Sequence, residues 1–281
     1  QLFEDRKRNI MCGGFVQCGD VDAALDAADA TVEAQYTTSF VEHGYIEPEA
    51  GFAEVVGGRI HVHACTQAPG MDREALAAIL DRPMADIRIV PTAVGGGFGS
   101  KIDLSLQPFI AIAALKTGRP VRMTYSRVET MQSTTKRHPA QITIKVGAKA
   151  DGTLSGLRFD GDFNTGAYAS WGPTVANRVP VHASGPYYIP DYRARSRAVH
   201  THCPPAGAFR GFGVPQSAIA QETAFDLLAE KLGLDPLDFR LKNALADGGP
   251  TVCGQVFDQG VGIAPCLEAL RPAWEDAKAE C

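Results

Sequence analysis

The segment from residue 204 to residue 216, PPAGAFRGFGVPQ, constrains the fold of this chain most. It places Arg210 and the rings of Phe209 and Phe212 among three glycines and between prolines. Glycine allows a positive φ and the close approach of a ligand, whereas proline fixes the course of a loop. The planar guanidinium of Arg210 suits an oxyanion. The composition therefore predicts a loop shaped around a site, and a surface turn with a solvated arginine is the alternative.

A second loop, residues 94–101 with the sequence VGGGFGSK, follows a strand-like run and precedes a helical run. Backbone N–H groups in such a strand-to-helix turn can hold a phosphate or another anion. The common nucleotide-binding templates do not match. Ser100 separates the last glycine from Lys101, and it also occupies the final glycine position of the dinucleotide fingerprint. A tight turn without a ligand is the alternative for this loop.

Four other segments accompany these loops: residues 42–50 (EHGYIEPEA), 65–69 (CTQAP), 136–139 (KRHP) and 237–243 (LDFRLKN). Taken in their order along the chain, the six motifs resemble the molybdenum-binding subunit of the xanthine dehydrogenase and aldehyde oxidase family. The resemblance covers nearly all of residues 19–243. It implies the first half of a molybdopterin-binding subunit, from an enzyme that hydroxylates an aldehyde or an N-heterocyclic or aromatic substrate with water as the oxygen source.

The resemblance assigns the cofactor contacts. Gln67 matches the glutamine whose amide points toward a molybdenum oxo ligand, and Arg210 matches the arginine beside the oxo and hydroxo ligands. Gly97, Phe98 and Gly99 match the loop whose backbone approaches the metal and the pterin. Gln67, Phe98 and Arg210 would thus surround the molybdenum without ligating it. The residue types alone leave an exposed loop glutamine as the alternative for Gln67.

The resemblance also assigns substrate contacts. Phe212 matches the ring that stacks on the substrate, and Arg178 resembles the arginine that stabilises negative charge on a heterocycle. A core aromatic and a solvated loop cation are the respective alternatives. Ile102 stands where purine-oxidising members carry a glutamate, which disfavours purines. Gly211 stands where the carbon monoxide dehydrogenase branch carries a copper-ligating cysteine, which argues against that branch.

The implied cofactor is molybdenum-molybdopterin or its cytosine dinucleotide form. The implied partners are the second half of the subunit, an iron–sulfur subunit and an FAD subunit. No Gly-x-Gly-Glu segment, which carries the family's catalytic glutamate, occurs in the sequence. We therefore expect either an excised piece of a longer protein or a split-gene product, inactive by itself. A scaffold or assembly protein that keeps the fold without the cofactor is the alternative.

The composition limits other classes of function. Hydrophobic residues make up 45% of the chain, charged residues 21%, and the net charge is −5. This balance gives no reason to expect nucleic acid or an anionic membrane as a partner. The longest apolar run, residues 109–115, is too short for a membrane span. No secretory signal opens the chain, and we expect a cytoplasmic protein.

Cysteine and histidine spacing gives little indication of a metal site. The seven cysteines form no Cys-x-x-Cys pair, so we expect reduced thiols. His61 and His63 would share one strand face, as would His200 and His202, but neither pair has an acidic ligand nearby in the sequence. Glu47 and Glu49 flank Pro48, and their counterparts in the family look structural.

The pattern of elements predicts an α+β fold, with mixed sheets, hairpins and packed helices. Gly57-Gly58 and Asp151-Gly152 predict hairpin turns, and Asp72 is predicted to cap a helix that ends at Leu80. Other helices are predicted over 107–116, with Phe109 buried, and over 217–232. We expect residues 1–18 to be a linker, 19–245 the first molybdopterin-binding domain and 246–281 a connecting segment.

Overall fold

A computed structural model, which describes residues 2–280, contains two mixed sheets. The larger sheet has five strands in the spatial order β1 (Ile10–Cys18), β9 (Asp191–His200), β8 (Leu154–Gly166), β7 (Ala140–Ala148) and β2 (Ala30–Thr38). The smaller sheet has four strands in the order β5 (Ile87–Pro91), β4 (Arg59–Ala64), β3 (Ala50–Val56) and β6 (Val121–Thr124). The β8–β9 and β4–β5 pairs are parallel and the others are antiparallel.

Helices lie between the strands and after them, which confirms the predicted α+β class. They are α1 (Val21–Asp26), α2 (Pro69–Leu80), α3 (Gln107–Thr117), α4 (Arg127–Ser133), α5 (Gly172–His182), α6 (Val214–Leu232), α7 (Pro236–Asn243), α8 (Ile263–Ala269) and α9 (Arg271–Glu280). Helices α5 and α6 pack against the larger sheet, and α2 and α3 pack against the smaller one. None of the helices between residues 2 and 280 is long and apolar enough to cross a membrane.

Each sheet has its own apolar core. Alternate residues of β7 point inward, including Ile142, Ile144 and Val146, and they join Phe159 and Phe225 under the larger sheet. The smaller sheet buries a separate cluster against α2 and α3: Ala53, Ile60, Val62, Ala64, Leu76, Ala77, Ile87, Leu106, Ile110, Ala111 and Ala114. The strand residues of this cluster all come from the face that the helices cover, so the opposite face of the smaller sheet is left open to solvent.

The short-range turn predictions are confirmed. Asp151 and Gly152 lie in the turn between β7 and β8, whose register runs from Ala140–Phe163 to Ala148–Leu154. Gly57 and Gly58, with φ of 56° and 81°, close the β3–β4 hairpin. Positive φ at two successive residues is the geometry of a two-residue hairpin turn, and glycine adopts it without strain.

Three local predictions are wrong. Residues 10–18 of the expected linker form β1, an edge strand paired along β9. Helix α2 begins at Pro69, before Asp72. Asp72 therefore lies within the helix, where its side chain is buried, and does not cap it. Phe109 lies on the solvent side of α3 and is 57% exposed.

Candidate functional site

The two glycine-rich loops lie against each other. The Arg210 N–H donates to the Phe98 carbonyl oxygen over 2.8 Å. Gly99 has φ of 113°, and a Cβ at this position would lie 2.5 Å from the Ala208 carbonyl oxygen. A side chain at Gly99 would therefore force the loops apart. The structure thus brings together the two segments that carry the predicted cofactor contacts.

Gln67 joins this pair of loops from the end of β4. Its N–H donates to the Lys101 carbonyl over 2.8 Å. Its side-chain Oε1 accepts from the Gly99 N–H over 2.9 Å, and a Cβ on Gly97 would clash with the same oxygen. Because Oε1 is held by a backbone donor, the amide Nε2 is the end left to donate to a ligand.

The loop that contains Phe98 presents unpaired backbone donors. The N–H groups of Gly96, Gly97 and Phe98 have no acceptor among residues 2–280. Phe98 has φ of 52°, in the left-handed region that non-glycine residues rarely occupy. Successive free N–H groups in such a turn form a concave site for an anion.

The second loop supplies a charge and a ring. No acceptor for the exposed Arg210 guanidinium occurs in the part of the chain that the structure describes. Phe212 has φ of 47° and meets Trp171 edge-on, with the ring centroids 5.9 Å apart. Its N–H donates to the Phe209 carbonyl over 2.8 Å. Phe212 is therefore a partly buried ring in a tight turn beside a free guanidinium.

A stack of rings supports this second loop. The Arg137 guanidinium lies 3.7 Å from the centroid of the Phe209 ring and donates to the Arg210 carbonyl over 3.0 Å. Burial lowers the pKa of Arg137 to about 10. His43 stacks on Phe209 at 4.0 Å, and its Nε2 lies 2.7 Å from the Ala208 carbonyl oxygen. The KRHP and EHG segments thus shape the Arg210 loop from behind.

Beneath the first loop lies an ion pair that the sequence did not reveal, in which Lys101 is buried and Glu47 half-buried. The Lys101 Nζ lies 2.6 Å from Glu47 Oε2 and 3.2 Å from Cys65 Sγ. Glu47 Oε2 also accepts from the Gly95 N–H over 2.8 Å. Burial alone would raise the pKa of Glu47, but Lys101 and the Gly95 N–H together hold that pKa below its usual range. Glu47 thus anchors the start of the glycine loop.

A second set of polar groups continues this layer. The Tyr45 hydroxyl donates to Glu49 over 2.6 Å, and the Ser105 hydroxyl donates to the same carboxylate over 2.7 Å. Gln107 donates to Asp72 over 3.2 Å, while Asp72 Oδ1 has no partner among the described residues. Burial raises the pKa of Asp72 to about 6. The structural interpretation of Glu49 fits these contacts.

The two remaining predicted site residues lie at the edges of this arrangement. Ile102 is half-buried, and its N–H donates to the Gly99 carbonyl over 3.1 Å. Arg178, for which a solvated loop cation was the alternative, lies on the exposed side of α5. That helix reaches the Arg210 loop through Val175 and Val179, which meet Gly213. No hydrogen bond or ion pair within residues 2–280 ties the Arg178 side chain to the site.

Known proteins are similar to this chain over most of its length. Residues 2–244 match the family model of the molybdopterin cofactor-binding domain. The chain is 42% identical to the nicotinate dehydrogenase large molybdopterin subunit of Eubacterium barkeri over 264 residues, which cover 94% of this chain and 62% of that protein. It is 35% identical to the xanthine dehydrogenase molybdenum-binding subunit of Escherichia coli O157:H7 over 279 residues, covering 97% of this chain and 37% of that protein.

A solved structure shows the same fold. Aldehyde oxidoreductase from Desulfovibrio gigas superposes with a TM-score of 0.91 at 32% identity, over 96% of this chain and 30% of that one. The chain therefore spans less than two thirds of the length of each of these relatives. The match over residues 2–244 confirms the family predicted from the six motifs. The chain belongs to the molybdopterin cofactor-binding domain family, with the molybdenum-binding subunits of xanthine dehydrogenases and aldehyde oxidoreductases.

Proposed function

We propose that this chain forms one wall of the molybdopterin site in an enzyme that hydroxylates an aldehyde or an N-heterocycle. One observation carries the proposal. Gln67, the Phe98 loop and the Arg210 loop converge, and all three present donors that no acceptor of the described chain satisfies. When bound, the molybdenum cofactor supplies oxygen transfer from water and accepts two electrons from the substrate.

The donor set fits a phosphorylated pterin with oxo groups on its metal. Phosphate and oxo oxygens are acceptors, and the site offers the N–H groups of Gly96, Gly97 and Phe98, the amide Nε2 of Gln67 and the guanidinium of Arg210. The glycines keep side chains away from the backbone donors, since a Cβ on Gly97 would occupy the place of the Gln67 amide. The polar layer around Glu47 and Lys101 keeps the loop in the conformation that exposes these donors.

Each side chain then has a separate task. Gln67 donates through Nε2 in an orientation that the Gly99 N–H fixes. Arg210 contributes a positive charge where negative charge accumulates, which is the usual way in which an enzyme stabilises a transition state. Phe212 offers an aromatic surface to a flat substrate. A role for Arg178 in stabilising charge on a heterocycle stays a prediction.

The proposed substrate class rests on Ile102, because the relatives described above are named for nicotinate, xanthine and aldehydes in turn. The Eubacterium barkeri relative is named for nicotinate, and the Desulfovibrio gigas protein is named for aldehydes. The Ile102 side chain has no hydrogen-bonding group to grip the polar edge of a purine, and unpaired polar groups in a closed pocket are costly. We therefore favour aldehydes and simple N-heterocycles over purines.

We also propose that the site is shared with further protein. The chain covers 62%, 37% and 30% of the three relatives described above, so other segments have room to complete the cofactor site. By itself the chain would then be inactive, with iron–sulfur and FAD partners carrying electrons away. The boundary at residue 245 and the cytoplasmic location stay predictions. A scaffold without the cofactor is disfavoured by the free donors.

Replacing Arg210 by alanine tests this proposal. In the assembled enzyme, turnover should fall about 100-fold, the size of effect seen when one electrostatic stabiliser is removed. Because the guanidinium is exposed and unpaired, unfolding should change by less than about 1 kcal/mol. Arg119→Ala, at an exposed position after α3, is the matched control and should leave turnover unchanged. Unchanged turnover in Arg210→Ala would contradict the role of Arg210 at the cofactor site.

A further inference from the structure

The open face of the smaller sheet carries a cluster of metal-ligating side chains. His61 and His63 alternate along β4 and share this face. Glu54 of β3 is the register partner of His61, so its side chain points to the same side. The carboxylate oxygen and the two imidazole nitrogens all lie within 4.8 Å of one another, and His63 Nε2 is 4.0 Å from Glu54 Oε1.

In the sequence alone, no acidic ligand lies beside the two histidines, which argues against a metal site. The hairpin turn at Gly57-Gly58 removes that objection. It folds β3 back along β4 and brings Glu54, seven positions before His61 in the sequence, next to both rings. Cross-strand neighbours on one face have Cβ atoms about 4.5–5.5 Å apart, which is close enough for one ion to bridge their side chains.

The surroundings hold one ring in place and leave the ligand atoms available. Phe52 stacks on His63 with the ring planes 7° apart and the centroids 4.2 Å apart. Apart from the His63–Glu54 contact, no acceptor or donor among residues 2–280 engages His61, His63 or Glu54. Arg88 of β5 is the register partner of His61, but its side chain is exposed and can turn toward solvent.

From this geometry we propose that Glu54, His61 and His63 bind one divalent transition-metal cation, with Zn²⁺ as the representative ion. Two imidazoles and one carboxylate form a ligand set that Zn²⁺ takes with a fourth position open to water. Binding needs the three ligand atoms to close by about 1 Å, since ligands about 2.0–2.2 Å from a tetrahedral ion lie closer together than they do here. The site lies on the sheet face opposite α2 and α3, and the proposal does not depend on the function of the glycine loops.

Titration of the 281-residue chain with zinc chloride tests this site. After dialysis against a chelator, isothermal titration calorimetry should show one Zn²⁺ bound per chain. Loss of a supporting group around a metal commonly weakens binding about 10–100-fold, so His61→Ala or His63→Ala should weaken it at least about 100-fold and Glu54→Gln at least about tenfold. His202→Ala, at an exposed histidine outside the cluster, is the control and should bind as the parent does.

Cysteine thiols are the competing ligands, and Co²⁺ distinguishes a thiolate site from the site at Glu54, His61 and His63. A Co²⁺ complex of the cluster should show ligand-field bands without thiolate-to-metal charge transfer. Binding at the exposed thiols of Cys253 or Cys266 would produce that charge-transfer band. Circular dichroism and thermal melting should match the parent for each variant, because all three side chains are only partly buried. Parent-like Zn²⁺ affinity in Glu54→Gln or His63→Ala, a thiolate band, or no binding by the folded parent would overturn the proposal.

Discussion

The layer beneath the larger sheet and the layer beneath the glycine loop are built from different chemistry. Under the sheet, Phe159, Phe163 and Phe225 are buried with aliphatic neighbours, and Phe225 meets Tyr187 and Phe239 edge-on. Under the loop, the buried groups are polar or charged: Tyr45, Glu49, Asp72, Ser100, Lys101 and Gln107. The chain thus contains one core of apolar side chains, which excludes water, and one core of polar side chains, which hydrogen-bond to each other in place of water.

The difference follows from what each layer has to hold. Apolar burial is strong but non-directional, so it fixes the distance between a helix and a sheet. Hydrogen bonds have a preferred angle and length, so they can fix the direction of a backbone N–H. Glu47 accepts from Gly95 and Lys101 together, and Gln67 accepts from Gly99. The polar layer therefore orients the loop that carries the proposed cofactor donors, and it does so at a cost in desolvation.

The largest effect is expected in the apolar layer. Phe159→Ala should lower the free energy of unfolding by about 3–5 kcal/mol, because it leaves a cavity in a well-packed core. Urea denaturation measures this loss. Phe109→Ala is the matched control, since Phe109 is 57% exposed and should cost less than about 1 kcal/mol. Equal losses in the two variants would show that the layer is not packed as described.

A smaller loss is expected when the polar layer is broken. Lys101→Met leaves Glu47 half-buried without its cation and should cost about 2–4 kcal/mol, somewhat less than a fully buried pair because Glu47 is partly exposed. Hydrogen exchange should also accelerate at Gly95 and Gly99, whereas the strands of the larger sheet should stay protected.

The control for this change is Lys242→Met, which breaks the exposed pair with Asp151. Pairs in solvent contribute little to stability, so the melting temperature should barely move and exchange in the glycine loop should be unaffected. If Lys101→Met melts like the parent and leaves the loop protected, then the ion pair does not hold the loop.

Short-range signals in the sequence predicted the two hairpin turns correctly. The Asp151-Gly152 turn and the Gly57-Gly58 turn depend on residues next to each other. The order of six motifs identified the family, and the structure brings Gln67, Phe98 and Arg210 together.

The errors involve contacts between distant residues. Strand β1 contains Gly13 and Gly14 and forms only because β9 pairs with it, and Gly14 lets the backbone of α5 approach at Ala176. Helix α5 contains Pro180, which favours a loop when only its neighbours are considered. The Lys101–Glu47 pair joins residues 54 positions apart. No local pattern reports such a pair, although buried charges require partners.

The smallest expected effect is a gain in stability in the polar layer. The pKa of Asp72 is raised by burial to about 6, so the folded state holds a proton that the unfolded chain releases near pH 4. Between those values the parent loses stability as pH rises, because the unfolded chain releases this proton while the folded state keeps it. Asp72→Asn removes this cost and should stabilise the fold by about 1–2 kcal/mol at pH 7 and by almost nothing near pH 4.

Urea denaturation of the parent and of Asp72→Asn at several pH values from about 4 to about 7 measures this difference. Asp258→Asn, at an exposed position, is the control and should follow the parent throughout. A constant difference between Asp72→Asn and the parent would mean that folding does not shift the pKa of Asp72. If Asp72→Asn were less stable than the parent at neutral pH, the Asp72 carboxylate would make a contact that stabilises the fold by more free energy than its desolvation costs. One oxygen of the Asp72 carboxylate has no partner among the described residues. Either result would mean that other contacts offset the desolvation of this carboxylate. The polar layer would then cost less free energy of folding than the comparison with the apolar core implies.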